Sequence, residues 1–294
     1  MTCASILNLA MKILSTFEIY KKVILFSSQP KSPMGVRGLM TICKSIKKDI
    51  RDAPPVKGQR IGIDAFSLIF LFREKRAEFQ AYLQGLSPNT LTFVMDKRAQ
   101  KEKKEVVDGR KEVRAEAKTE ATEITSFTQT DEYEGLDPQQ RKILEKYLEL
   151  KRRDAWCLYP EYVKWMKDMV FSLGIPILMA KEEADTVLAR GDYDIVISSD
   201  SDLLILGCKT LWIPSTHGNT EIRYDEFMRL VGLSQEQLYQ MAYLAGCDVQ
   251  PKKHFNIEVA IDLLKRHESL ENIPDLDKSH IEAFKTLKES VWEY

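Results

Sequence analysis

The chain has 294 residues, 44% of them apolar and 30% charged, with a formal net charge of −1 at pH 7. That length holds one large domain or two ordinary ones, and the near-neutral balance excludes a polycation, so a nucleic-acid partner would need local basic patches. Five cysteines, at 3, 43, 157, 208 and 247, show neither C-x-x-C spacing nor a disulfide framework, which fits a reducing compartment. No apolar stretch is long enough to span a bilayer, and Lys12, Glu18, Lys21 and Lys22 interrupt the apolar amino terminus, so no signal peptide is expected.

In chain order, residues 1–33 read as an extension closing in the linker-like SSQPKSP. Gly35 and Gly38 then bracket Arg37 ahead of an amphipathic stretch. Arg60 to Ala65 (RIGIDA) has the composition of a buried strand ending at Asp64. A helical pattern runs from Phe66 to about Tyr82, and a second strand, Leu91 to Met95, ends at Asp96. From Lys97 to Arg114 eight basic residues stand against four acids, a local charge of +4. Thr119 to Asp131, rich in Thr and Ser, reads as a mobile loop. Charged and amphipathic helices are expected over Pro138 to Arg153 and Tyr159 to Leu173, the latter stopping at Gly174. A third strand, Ile175 to Met179, is followed by a short helix, Glu182 to Arg190. The apolar run Ile195 to Ile197 comes next and ends in SSDSDLL. Short strands at Thr210 to Pro214 and Glu221 to Tyr224 precede a helix starting at Ser234 with Gln237 in capping-box spacing. That helix ends near Gly246, and a charged helical remainder follows from Pro251. Strands alternating with helices predict an α/β fold, a parallel sheet with helices on both faces.

The acids carry the chemistry. Asp64, Asp96 and the Asp200/Asp202 pair stand at carboxyl ends of expected strands, where open parallel sheets collect their ligands. Glu183 and Asp185 open the helix after the third strand, and Asp248 follows a helix end. Taken alone, Asp200 and Asp202 are as compatible with capping a helix as with a metal. Seven carboxylates on one side of a sheet, however, imply metal ions or shared protons. The absence of clustered His or Cys suits Mg²⁺ or Mn²⁺ rather than Zn²⁺. Seven ligands exceed what one octahedral Mg²⁺ takes from protein, so two ions are the natural count. Such a pair suits phosphodiester hydrolysis.

Met34-Gly35, IGIDA at Asp64, FVMD at Asp96, EEAD at Glu183/Asp185, SSDSDLL at Asp200/Asp202 and LAGCD at Asp248 stand in the order of the flap endonuclease (XPG-like) family, which residues 34 to 270 resemble. The resemblance implies a PIN-like nuclease core with a helical arch and a carboxy-terminal helix-hairpin-helix, acting as a structure-selective 5′ nuclease on branched or 5′-ended DNA. It implies two Mg²⁺ ions, for which Mn²⁺ can substitute. Asp64, Asp96, Glu183 and Asp185 would serve the first, and Asp200, Asp202 and Asp248 the second. Lys103 and Arg110, seven and fourteen residues after Asp96, stand where the family reaches the scissile phosphate, although a solvated charged helix face is the alternative for this run. DNA contacts are implied for Gly35, Arg37, Phe70, Lys103, Arg110, Glu183, Gly246 and Asp248. Phe70 reads equally as a core position, and Gly246 equally as a helix C-cap.

The expected divisions are the 1–33 extension, a nuclease region 34–130 carrying the start of the basic arch, arch and linker helices 131–173, a nuclease region 174–248, and a degenerate hairpin with tail at 249–294. The family begins beside the active site, so the 33 preceding residues imply translation from Met34 or removal of the extension. Intact mass of the natively expressed protein separates these from a retained extension. At the hairpin, Lys253-His254-Phe255-Asn256-Ile257-Glu258 replaces a glycine-containing turn, which puts duplex binding in doubt, while Ala260 to His267 still resembles the second helix. No Gln-initiated sliding-clamp box is found near the end, and a monomer is expected. These departures resemble the divergent forms carried by large DNA viruses. The expected location is the nucleus or a viral replication site. A catalytically dead DNA-binding scaffold and an RNA-cleaving nuclease on the same fold are the competing readings. The first would need a lost ligand, and none of the seven acids is missing. The second depends on contacts to the 2′-OH.

Overall fold

The computed structural model describes residues 36, 38–45, 51–73, 75–96, 104–181, 183–247 and 254–289, without the side chains of 44, 45, 51, 104–108 and 110. Seven strands form one sheet: β1 (Arg51–Asp52), β2 (Arg60–Asp64), β3 (Thr90–Asp96), β4 (Ile177–Ala180), β5 (Ile195–Ile197), β6 (Thr210–Ser215) and β7 (Gly218–Arg223). Their order is β1-β7-β6-β5-β2-β3-β4. The pairs β4·β3, β3·β2, β2·β5 and β5·β6 are parallel, and β7 is antiparallel to both β6 and β1.

The central strands are apolar on both faces, as a sheet covered on both sides requires. Side chains alternate across it. Ile61, Ile63, Phe93, Met95, Ile195 and Ile197 enter one core, with Leu68 and Phe72 from the helix Ala65–Phe72, Phe79 from Arg76–Leu86, and Met166 and Val170 from Pro160–Ser172. Val94, Ala180 and Val196 enter the other, with Leu188, Leu203, Phe227 and Met241. Gly62 faces this second core. A Cβ there would lie 2.8 Å from Leu188 Cδ2 and 2.9 Å from the Tyr193 ring. Gly62→Ala is therefore expected to overpack the sheet at a cost of about 1–3 kcal/mol. Urea unfolding reads this directly, and an unchanged midpoint would show that Leu188 and Tyr193 have room to yield.

The helix foreseen over Phe66 to Tyr82 is two helices, Ala65–Phe72 and Arg76–Leu86. The four charged residues 73–76 lie at the break, while Phe72, Phe79 and Leu83 keep helical phase across it. The sequence expectation also missed β1, whose two residues are too few to leave a pattern.

Residues 105–157 form a separate compact unit. It contains the helices Lys104–Phe127, Asp131–Glu134 and Pro138–Ala155, with Ala121, Ile124, Phe127, Tyr133, Leu144 and Leu148 as its core. The expected mobile loop at Thr119 to Asp131 is thereby corrected: it is helical through Phe127. Thr119, Thr122, Thr125 and Ser126 return their hydroxyl protons to the carbonyls of Ala115, Lys118, Ala121 and Thr122, four residues back. These side chains usually compete with the helix, but back-bonding satisfies them within it. Glu120 joins the two long helices, accepting from Tyr147 Oη at 2.7 Å and pairing with Lys151 Nζ at 2.8 Å. Asp137 opens the last helix with a capping box completed by Gln140. None of the described helices is long and apolar enough to cross a membrane.

Candidate active site

Parallel registry brings the strand ends together. Asp64 lies level with Val94, so Asp96 stands two residues further along the neighbouring strand. Asp96 lies level with Ala180, the last residue of β4. Ile63 lies level with Ile197, which sets Asp64 against the loop that begins at Ser198. Neighbouring strands are about 4.8 Å apart. The ends of β4, β3, β2 and β5 thus deliver Glu183/Asp185, Asp96, Asp64 and Asp200/Asp202 to one edge of the sheet.

Asp64, Asp96, Asp200 and Asp202 each accept from a backbone N–H. Asp64 is the N-cap of Ala65–Phe72, and its Oδ1 accepts from the backbone N–H of Phe66 (3.0 Å) and Ser67 (3.4 Å). Its Oδ2 accepts from the hydroxyls of Ser67 (2.6 Å) and Ser198 (2.8 Å). Asp96 Oδ1 accepts from the N–H of Ala184 at 2.6 Å. That amide lies between Glu183, in the N-cap position of the helix Ala184–Arg190, and Asp185 in its first turn. Asp96 therefore anchors this helix start, in keeping with the preference of a carboxylate for a helix N-terminus. Asp200 is buried, and its Oδ1 accepts from the Asp202 N–H at 2.9 Å. Asp202 begins the short helix Asp202–Ile205 and accepts from the Val36 N–H at 2.5 Å. Asp64 thus caps its own helix through its side chain, whereas Glu183 holds an N-cap position without a side-chain cap bond and Ser201, not Asp200, is the N-cap of Asp202–Ile205.

The donor set is all hard oxygen, which fits Mg²⁺ or Mn²⁺ by type. Among the described residues, no group of three or more His, Cys, Asp or Glu side chains comes within reach of a single metal ion. The bonds just given engage Asp64, Asp96, Asp200 and Asp202, and no described buried side-chain N or O is left without a partner. Lys103, Asp248, Gly35 and Arg37 lie outside the described residues, as does the side chain of Arg110. Phe70 is half-buried in the helix that Asp64 caps. Gly246 is the C-cap of the helix Gln235–Ala245, with φ 85° and its N–H donating to Ala242 O at 3.0 Å. A positive φ of this kind accounts for a glycine there without any ligand.

The helices Gln235–Ala245 and Ile257–His267 are tied together by side-chain hydrogen bonds. Gln237, in the first turn of Gln235–Ala245, donates through its amide to the carbonyls of Leu264 (3.2 Å) and Glu268 (2.9 Å), at the end of Ile257–His267. The N–H groups of His254 and Phe255 both donate to Leu244 O at 3.0 Å. Asn256 adopts ordinary extended backbone at φ −67°, so the described part of the turn needs no glycine. Gly38, at φ +84°, packs on the first residue of the second helix: a Cβ there would lie 2.8 Å from Ile257 Cγ2.

The sequence reading held Ser198 and Ser199 only as the first residues of SSDSDLL, without a role, and assigned Ser67 nothing. The bond from Ser198 to Asp64 spans 134 residues and arises from strand registry, so it leaves no local signal.

Residues 174–248 match the family model described as the XPG I-region, a span holding Glu183, Asp185, Asp200, Asp202 and Asp248. The chain is 24% identical over 291 residues to flap endonuclease 1 of Sulfurisphaera tokodaii, covering 84% of this chain and 78% of that protein. Two solved structures share its fold. The catalytic core of Rad2 in complex with DNA substrate superposes with a TM-score of 0.55 at 18% identity, over 87% of this chain and 80% of that one. The flap endonuclease from Methanococcus jannaschii superposes with a TM-score of 0.51 at 17% identity, over 82% of each chain.

Proposed function

Since this chain is a divergent relative of the flap endonuclease and XPG-like nucleases, we propose that it is a divalent-metal-dependent, structure-selective DNA nuclease that hydrolyses phosphodiester bonds in branched or 5′-ended DNA. The observation that carries this reading is the delivery of Glu183/Asp185, Asp96, Asp64 and Asp200/Asp202 to one edge of the sheet by four adjacent parallel strands. Random surface acids would have no reason to collect there. Asp96, Glu183 and Asp185, with the charge of Asp64, would hold one ion, and Asp200, Asp202 and Asp248 a second. Bound Mg²⁺ would supply an activated water and neutralise charge on the phosphate.

The protein's own part is placement. Asp96 fixes the helix start that carries Glu183 and Asp185, and the Val36 amide fixes Asp202. Lys103 and Arg110 would add cationic stabilisation to the phosphate under attack. The helical unit 105–157 would serve as the arch over a single strand, its lysines binding backbone without reading sequence. The paired helices Gln235–Ala245 and Ile257–His267 would approach duplex phosphate. DNA as the substrate places the protein where DNA is replicated or repaired, the nucleus in a eukaryotic cell.

Purified protein with Mg²⁺ and a labelled 5′ flap is expected to release the flap, with no release in excess chelator. Absence of cleavage on flap, nick, gap and single-stranded DNA, with metal present, would overturn the enzyme reading.

A further inference from the structure

We infer that Ser198, together with Ser67, is a positioning residue that holds the Asp200/Asp202 loop in fixed relation to Asp64. This rests on the metal-dependent reading above. Both hydroxyls donate to the same carboxylate oxygen, Asp64 Oδ2, at 2.8 Å from Ser198 and 2.6 Å from Ser67. Each hydroxyl has one proton and two lone pairs. An ionised carboxylate has no proton to give, so both serine protons go to Asp64. The hydroxyl oxygens are then free to accept, and both accept from the loop that follows β5. Ser198 Oγ takes the Asp200 N–H at 3.0 Å, and Ser67 Oγ takes the Ser199 N–H at 2.9 Å. Ser199 Oγ adds a further contact to Ser67 Oγ at 2.8 Å.

The two serines therefore relay one carboxylate into two loop amides. The chain continues from Asp200 Oδ1 to the Asp202 N–H. Four donors fill the acceptor positions of Asp64, so its orientation is set before any cation arrives. Ser198 is fully buried, and Ser67 and Asp64 are nearly so. In such surroundings a fully satisfied polar network rigidifies what it joins. The acid at the end of β2 and the acids after β5 are thus one unit, and the two serines are the joint.

Mn²⁺ binding by titration calorimetry, thermal unfolding, and the kcat and KM of flap cleavage test this with the full chain. Ser198→Ala is expected to stay folded, bind Mn²⁺ roughly 10-fold more weakly, and lose kcat with KM for DNA little changed. Ser198→Thr, which keeps the hydroxyl, is expected to recover most of the loss. Ser67→Ala should move Mn²⁺ affinity in the same direction. A folded Ser198→Ala protein with Mn²⁺ affinity within about twofold of the parent overturns the inference, and if Ser198→Ala does not fold, Ser67→Ala decides by the same criterion. Asp200→Ala separates the two levels. A parent that shows no Mn²⁺ binding sensitive to Asp200→Ala overturns the metal reading itself. Binding lost in Asp200→Ala but unchanged in the serine variants overturns only the joint.

Discussion

Asp200→Asn is expected to lower flap cleavage by about 10³-fold or more while leaving the protein folded. The substitution keeps an oxygen able to accept from the Asp202 N–H, and keeps the backbone N–H that donates to Ser198. What it removes is one negative charge from the set proposed to hold the ions. Metal ions at a phosphoryl centre contribute several kcal/mol of transition-state stabilisation, and each 1.36 kcal/mol is about a factor of ten in rate. The variant should gain less stability from added Mg²⁺ than the parent, since a ligand stabilises only as far as it binds the folded state. Flap DNA binding should survive. Cleavage within a factor of ten of the parent would remove Asp200 from the proposed chemistry.

The largest stability effect is expected at Phe79, where alanine should cost about 3–5 kcal/mol. Phe79 is fully buried and links three elements. Its ring lies 5.6 Å from Phe72, 6.4 Å from Phe93 on β3, and 5.2 Å from Trp165 on Pro160–Ser172. Aromatic pairs at these separations add to the burial of area itself. Truncation leaves a void that two helices and a strand would have to close together, and close-packed interiors relax only in part. Against a total of roughly 5–15 kcal/mol for a typical domain, the loss should appear as a clear fall in urea midpoint. A cost under about 1.5 kcal/mol would show that the helix Arg76–Leu86 settles into the gap. Cleavage in the cold should be nearly unaffected, which distinguishes this variant from Asp200→Asn.

The sequence was most informative where local pattern and tertiary placement agree. Asp64 and Asp96 could be placed at strand ends because apolar β-branched runs stop at them, and both do close strands. The capping box at Ser234 and Gln237 forms as its spacing indicates. The reading failed where composition and structure part company. Thr119 to Phe127 has the residues of a loop, but its hydroxyls find carbonyls four residues back and the helix persists. The break between Ala65–Phe72 and Arg76–Leu86 falls in the charged run at residues 73–76, which the expected single helix ran through. The candidate acids could be picked out in the sequence by type and position, and the Asp64–Ser67 contact spans only three residues. The bonds from Ser198 to Asp64 and from the Val36 N–H to Asp202 span 134 and 166 residues, and no local window of sequence contains both ends of them.

That separation has a consequence for when the protein becomes competent. Asp202 receives the Val36 amide across 166 residues, and Gly38 is packed by Ile257, further still along the chain. A ribosome adding about 5–20 residues per second needs on the order of 10–40 s to travel from one partner to the other. Until then the first segment waits with neither its acid nor its supporting helix, although β2 and β3 can already pair. Contacts this distant also carry the slow loop closures of folding. The nascent chain therefore carries Asp64 and Asp96 for seconds to tens of seconds before Asp202 can meet Val36, and this end of the sheet is completed late in synthesis.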